Sequence, residues 1–91
     1  MEIEMRFFAN FREAVGQKTI TRECQEDATV GEALEELTAE YPGVDLFDED
    51  GELREFLSVM KNGREIAYLD GLETELEESD TISVFPPVAG G

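Results

Sequence analysis

The residues best suited to chemistry close the chain, in the run Phe85-Pro86-Pro87-Val88-Ala89-Gly90-Gly91. Pro86 and Pro87 have no backbone N–H, so a strand through Val84 and Phe85 stops donating to a sheet ladder at that point. The proline pair favours a stiff, extended exit, and the residues from Val88 onward reach about 13 Å beyond it. Gly90 and Gly91 carry no side chains, so they suit a channel that admits little more than backbone and leave the carboxylate of Gly91 open to attack. A carboxylate is a poor acyl donor until its oxygen becomes a good leaving group, which adenylation by a nucleotide-using partner accomplishes. The expected chemistry is activation of the C-terminus. Gly91 is the acyl donor, Gly90 permits threading, and Pro86, Pro87, Val88 and Ala89 set the depth of insertion.

Holding such a tail requires a small scaffold, and the pattern upstream describes one. Ile3, Met5 and Phe7 alternate with Glu2, Glu4 and Arg6, the period of a strand with one buried face. Residues 9–16 read as a short helical turn, capped by Asn10 and ended by Gly16. Thr19 to Cys24 is rich in β-branched residues and predicts a second strand paired with the first. Thr29-Val30-Gly31-Glu32 matches a capping box, so a helix begins there. Val30, Ala33, Leu34, Leu37 and Tyr41 then fall on one face and Glu32, Glu35, Glu36 and Glu40 on the other, until Pro42-Gly43 ends it.

Asn62-Gly63 tolerates the positive φ angles of a tight turn, which predicts a hairpin joining residues 56–60 to residues 65–69. Asp70-Gly71 turns the chain, Leu72 to Leu76 reads as another helical turn, and Thr81 to Phe85 alternates as a final strand. The acidic stretch between Val44 and Leu53 invites a calcium-loop reading, but the register refuses it. With Gly51 at the loop's glycine position, the first and twelfth ligand positions fall on Leu46 and Leu57, which have no side-chain oxygen. A solvated acidic loop without a metal site is expected.

Composition narrows the function. At 91 residues the chain forms one domain with a modest core, too small to surround a substrate with many catalytic groups, so an enzyme acting alone is disfavoured. It has no histidine and one cysteine, Cys24, which removes Cys-His catalysis, histidine-based zinc sites and an internal disulfide. Cys24 reads as a small core or strand residue, and a reducing, cytoplasmic setting fits. No signal peptide and no membrane span are expected. Seven basic residues against 23 acidic ones give a net charge of −16, which repels nucleic acid and anionic membranes alike.

Several stretches together resemble a known family. Phe7-Phe8-Ala9-Asn10-Phe11-Arg12-Glu13 with Gly16, Ala28 to Leu34 with Tyr41-Pro42, Asn62-Gly63, and the closing Phe-Pro-Pro-Val-Ala-Gly-Gly run are similar to the small subunit of molybdopterin synthase, MoaD. The acidic composition directs the resemblance to the small archaeal modifier proteins of halophilic archaea. It implies an α+β, β-grasp (ubiquitin-like) fold, with a mixed four- to five-stranded sheet packed on one main helix. Residues 1–87 would form that domain and residues 88–91 a flexible Gly-Gly tail.

The resemblance also implies that an E1-like enzyme adenylates Gly91 with ATP, the chain itself binding no cofactor. As a modifier, the chain would pass its acyl group to a lysine of a target protein as an isopeptide bond. As a sulfur carrier, it would bear a thiocarboxylate into the large subunit of molybdopterin synthase. A deconjugating metalloprotease is a further partner compatible with the modifier role, and a non-covalent interaction module is the reading from another class. Phe8 and Phe85, out of phase with their neighbours, would form an apolar dock on the sheet or else pack against the short helical turn or a loop. Lys18 and Lys61 are the only lysines and the candidate acceptors for chain formation.

An acidic, lysine-poor surface on a folded domain calls for screening by salt. The melting temperature is therefore expected to rise between dilute and molar KCl; a flat response would contradict this reading.

Overall fold

The computed structural model describes residues 1–87, with the elements β1 (Glu2–Phe7), α1 (Ala9–Val15), β2 (Thr19–Glu23), α2 (Val30–Glu40), β3 (Ser58–Lys61), β4 (Arg64–Glu65) and β5 (Thr81–Phe85). The five strands form one mixed sheet in the order β2-β1-β5-β3-β4. Only β1 and β5 run parallel; the other neighbours are antiparallel. This is the expected β-grasp architecture, with five strands rather than four.

The alternation read from β1 explains which side of the sheet is covered. Ile3, Met5 and Phe7 are buried, and the register places Met5 beside Ile82 and Phe7 beside Val84, which in turn faces Val59. Val30, Ala33, Leu34 and Leu37 of α2 supply the facing apolar layer and are themselves buried. Each of the valine and leucine side chains contributes on the order of 1.5–3 kcal/mol by leaving water. The capping box forms as expected: the Glu32 N–H donates to Thr29 Oγ1 at 3.2 Å, and the Thr29 N–H donates to Glu32 Oε1 at 3.0 Å. Gly31, buried on the inner face, has no room for a side chain, because a Cβ there would come within 2.9 Å of the Leu72 carbonyl oxygen.

Several local expectations are corrected. The N-cap of α1 is Phe8, whose side chain makes no capping bond, and Asn10 lies exposed within the helix; Ala9, at φ 51°, turns the chain into it. The hairpin is shorter than predicted. β3 starts at Ser58 because Phe56, at φ 67°, breaks the extended backbone. β4 has two residues because the chain leaves the ladder at Ile66, which enters the core, through a 3-10 helix over Ile66–Tyr68. The second helical turn is a 3-10 helix at Gly71–Glu73, ahead of the predicted position. The acidic stretch is not wholly solvated, since Val44 and Leu46 are completely buried in the core. Asp48 organises the remainder, its Oδ1 accepting from the N–H groups of Asp50 and Glu52.

The Asn62-Gly63 turn forms with φ of 51° and 84°. Its asparagine does more than tolerate that geometry. Asn62 Oδ1 accepts from the Thr81 N–H at 2.9 Å, and Asn62 Nδ2 donates to Asp80 Oδ1 at 2.8 Å. Asp80, 6% exposed, also accepts from the Glu77 N–H through Oδ2 at 2.7 Å and has Lys61 Nζ 3.7 Å away. The hairpin tip is thus tied to the start of β5. Replacing Asp80 by alanine strands these donors and is expected to cost about 2–3 kcal/mol, against about 1 kcal/mol for Thr29→Ala, by denaturant unfolding in molar KCl.

Candidate functional site

The site is the end of the sheet from which the chain leaves after β5. β5 lies in the middle of the sheet, paired on one side with β1 as far as Val84 and on the other with β3 as far as Phe85. Phe85 is opposite Ser58 in the ladder, Pro86 is half-buried and Pro87 is exposed. With no N–H on either proline, neither can continue the pairing. The predicted tail residues Val88, Ala89, Gly90 and Gly91 lie outside the described residues.

The structure brings Phe8 and Phe85 together. Because Phe7 aligns with Val84 in the parallel pair, the residues that follow emerge side by side, and their rings stack with centroids 4.2 Å apart and planes 13° from parallel. Each ring is half-buried. The aromatics pack on one another and still present surface. Half-buried Met60 lies on the same face, since it is opposite Ser83 while Ser58 is opposite Phe85. An apolar strip thus borders the exit on the side of the sheet away from α2.

The two lysines are in different situations. Lys61 is 21% exposed, with Nζ donating to the Glu75 carbonyl oxygen at 3.2 Å and 3.7 Å from Asp80 Oδ2. Lys18 is exposed, and its carbonyl accepts from the Phe7 N–H at 2.9 Å, which places it at the exit end of the sheet. Cys24 is half-buried and packs against the core just past β2. Burial, and next the charge of Glu36, push its thiol above the ordinary range, so the thiol form dominates near neutrality and the group is a poor nucleophile.

Sequence reasoning missed the backbone devices around the exit. Ala9, next to Phe8, and Phe56, two residues before Ser58, both occupy the left-handed region. Neither is a glycine, and strained residues of this kind concentrate at functional sites. No residue type marks them in the sequence. No helix among the described residues is long and apolar enough to cross a membrane.

The chain is 55% identical to small archaeal modifier protein 3 of Haloferax volcanii, over the whole length of both. It superimposes on the crystal structure of small archaeal modifier protein 1 from the same organism with a TM-score of 0.87, at 33% identity and full coverage of both chains. It is also 30% identical to the sulfur carrier protein CysO of Mycobacterium tuberculosis, over 84% of this chain and 83% of that protein. The ThiS family matches residues 5–91, from the middle of β1 through the exit described above, and the chain belongs to that family.

Proposed function

We propose that this chain is a ubiquitin-like protein modifier whose Gly91 is adenylated by an E1-like enzyme and joined by an isopeptide bond to lysines of target proteins. The observation that carries the reading is the placement of β5, a strand clamped between two neighbours and stopped by Pro86-Pro87. That arrangement gives a partner a fixed origin from which to measure the tail. Residues 1–87 serve as the handle and residues 88–91 as the reagent.

A Gly91 carboxylate oxygen attacks the α-phosphorus of ATP, pyrophosphate leaves, and an acyl adenylate forms. A lysine amine of the target then attacks the acyl carbon, AMP departs with the electron pair of the broken bond, and the amine loses its proton. The activating enzyme binds the ATP; this chain contributes the acyl group and no catalytic side chain. The full-length likeness to a protein named as a modifier supports this choice. The stacked pair Phe8 and Phe85 beside the exit is the dock for the partner that receives the tail. Of the two lysines, Lys18 is the better acceptor for a second modifier, because Lys61 is already engaged.

The likeness to a sulfur carrier supports a second use of the same adenylate. Attack of hydrosulfide on the acyl carbon in place of a lysine amine, with AMP leaving and a proton lost, yields a Gly91 thiocarboxylate, suited to delivery into the large subunit of a molybdopterin synthase. A purely non-covalent module is the third reading, and deletion of the tail separates it from the other two. A deconjugating metalloprotease and a cytoplasmic setting accompany the modifier reading.

Deleting Gly90 and Gly91 is expected to leave the melting temperature unchanged and to abolish adenylation and conjugation; a protein that keeps all its partners after this deletion is a plain binding module. In mass spectra of the protein from its own cells, Gly-Gly remnants on lysines of other proteins establish conjugation. A gain of about 16 Da at the C-terminus, from replacement of oxygen by sulfur, establishes carriage. Phe8→Ala is expected to raise the KM of adenylation about tenfold with little change in kcat, as loss of an aromatic contact in a docking surface does.

A further inference from the structure

Two large hydrophobic side chains among the described residues stand open to solvent, Phe56 at 82% and Tyr68 at 88% exposure. Each is next in the chain to a residue that lines one groove. Leu53, Leu57, Ile66, Ala67 and Leu72, with Glu65, line a cavity of about 220 Å³, and Phe56 and Tyr68 adjoin Leu57 and Ala67 in the chain. An apolar cavity of ~150 Å³ holds benzene, so this one has room for a single large apolar side chain. The exposure of Phe56 comes with backbone strain, since its φ of 67° is a conformation that bulky residues avoid. A strained backbone that turns an aromatic ring toward water gains nothing from the packing of its own fold.

The surroundings state what the groove accepts. Exposed Glu52, Glu55, Asp70 and Glu73 flank the lining residues in the chain, whereas the Glu65 carboxylate accepts from Ser58 Oγ on the opposite face of the sheet. The cations of these segments are Arg54, 3.1 Å from Asp45 Oδ2, and Arg64. We infer that this groove docks a segment of a partner protein in which a large apolar side chain is flanked by lysines or arginines. The apolar side chain fills the cavity, and the flanking cations meet the carboxylates and the faces of the two aromatic rings. A net charge of −16 opposes a second copy of this chain in the same place.

The location is specific. Ser58 is opposite Phe85, so Leu57, which lines the groove, adjoins the end of the sheet that Pro86 leaves. Val59 and Ile66 are buried in the core, so the groove opens on the α2 side of the sheet, opposite the Phe8–Phe85 stack. A segment seated there would belong to the protein that handles the tail. That last step rests on the proposed activation; the chemistry of the groove does not.

The test is an NMR titration of isotopically labelled full-length protein at the lowest KCl concentration that keeps it folded. The probe is a short synthetic peptide with a central phenylalanine, flanking leucines and terminal lysines. Shifts are expected to centre on Leu57, Ala67 and Leu72, and the double substitution Phe56→Ala with Tyr68→Ala should weaken binding about fivefold or more while preserving the dispersed spectrum. Shifts spread over the acidic surface and indifferent to the double substitution would overturn the inference, as would equal binding of a peptide with glutamates in place of the lysines. Groove shifts that depend on protein concentration without peptide would assign the surface to a second copy and overturn it as well. Failure of adenylation, by contrast, would remove the proposed function and leave these shifts unaltered.

Discussion

The last strand of this chain is also the middle strand of its sheet, and most of the architecture depends on that constraint. A C-terminal strand at a sheet edge would hang from one row of hydrogen bonds and fray readily. β5 is instead bonded to β1 in parallel and to β3 antiparallel, with Ile82 and Val84 completely buried beneath α2. The chain reaches Pro86 from a fixed point. The prolines then end the ladder by removing the donors that would extend it.

The rest of the fold secures that strand. The start of β5 is fixed by Asp80 and Asn62, which join the hairpin tip to the loop before Thr81 through bonds of 2.7 to 2.9 Å. Its end is fixed by the stack of Phe85 on Phe8, which couples the exit of β5 to the entry into α1. Between these points α2 covers the sheet, approaching the turn at Leu72 so closely that Gly31 has no room for a side chain. Rigidity at the base of the tail is what a partner needs if it is to place a terminal carboxylate beside a nucleotide, because a mobile origin would spread the carboxylate over many positions.

The surface divides the same end of the molecule into two faces. One carries the stacked phenylalanines with Met60, and the other the groove beside Phe56 and Tyr68 with its carboxylates. The high negative charge surrounds both. A charge of that size repels anions and other acidic surfaces and attracts basic ones.

Elements governed by neighbouring residues were legible in the sequence. The alternation of Ile3, Met5 and Phe7, the Thr29–Glu32 box and the Asn62-Gly63 turn each depend on interactions within a few positions, and each is found. The fold class was legible as well, through their order and the family resemblance. What failed was also local but tertiary in cause: Asn10 does not cap α1 because the chain enters that helix from the Phe8–Phe85 stack, and β4 is cut short because Ile66 turns into the core through a 3-10 helix. The pairing of β1 with β5, the meeting of Phe8 with Phe85 and the ties of Asn62 to Asp80 and Thr81 join residues from 18 to 77 positions apart. Composition and short-range pattern set the pieces, whereas only the packed chain decided which of them touch, since long-range contacts depend on how the whole sheet closes over one helix.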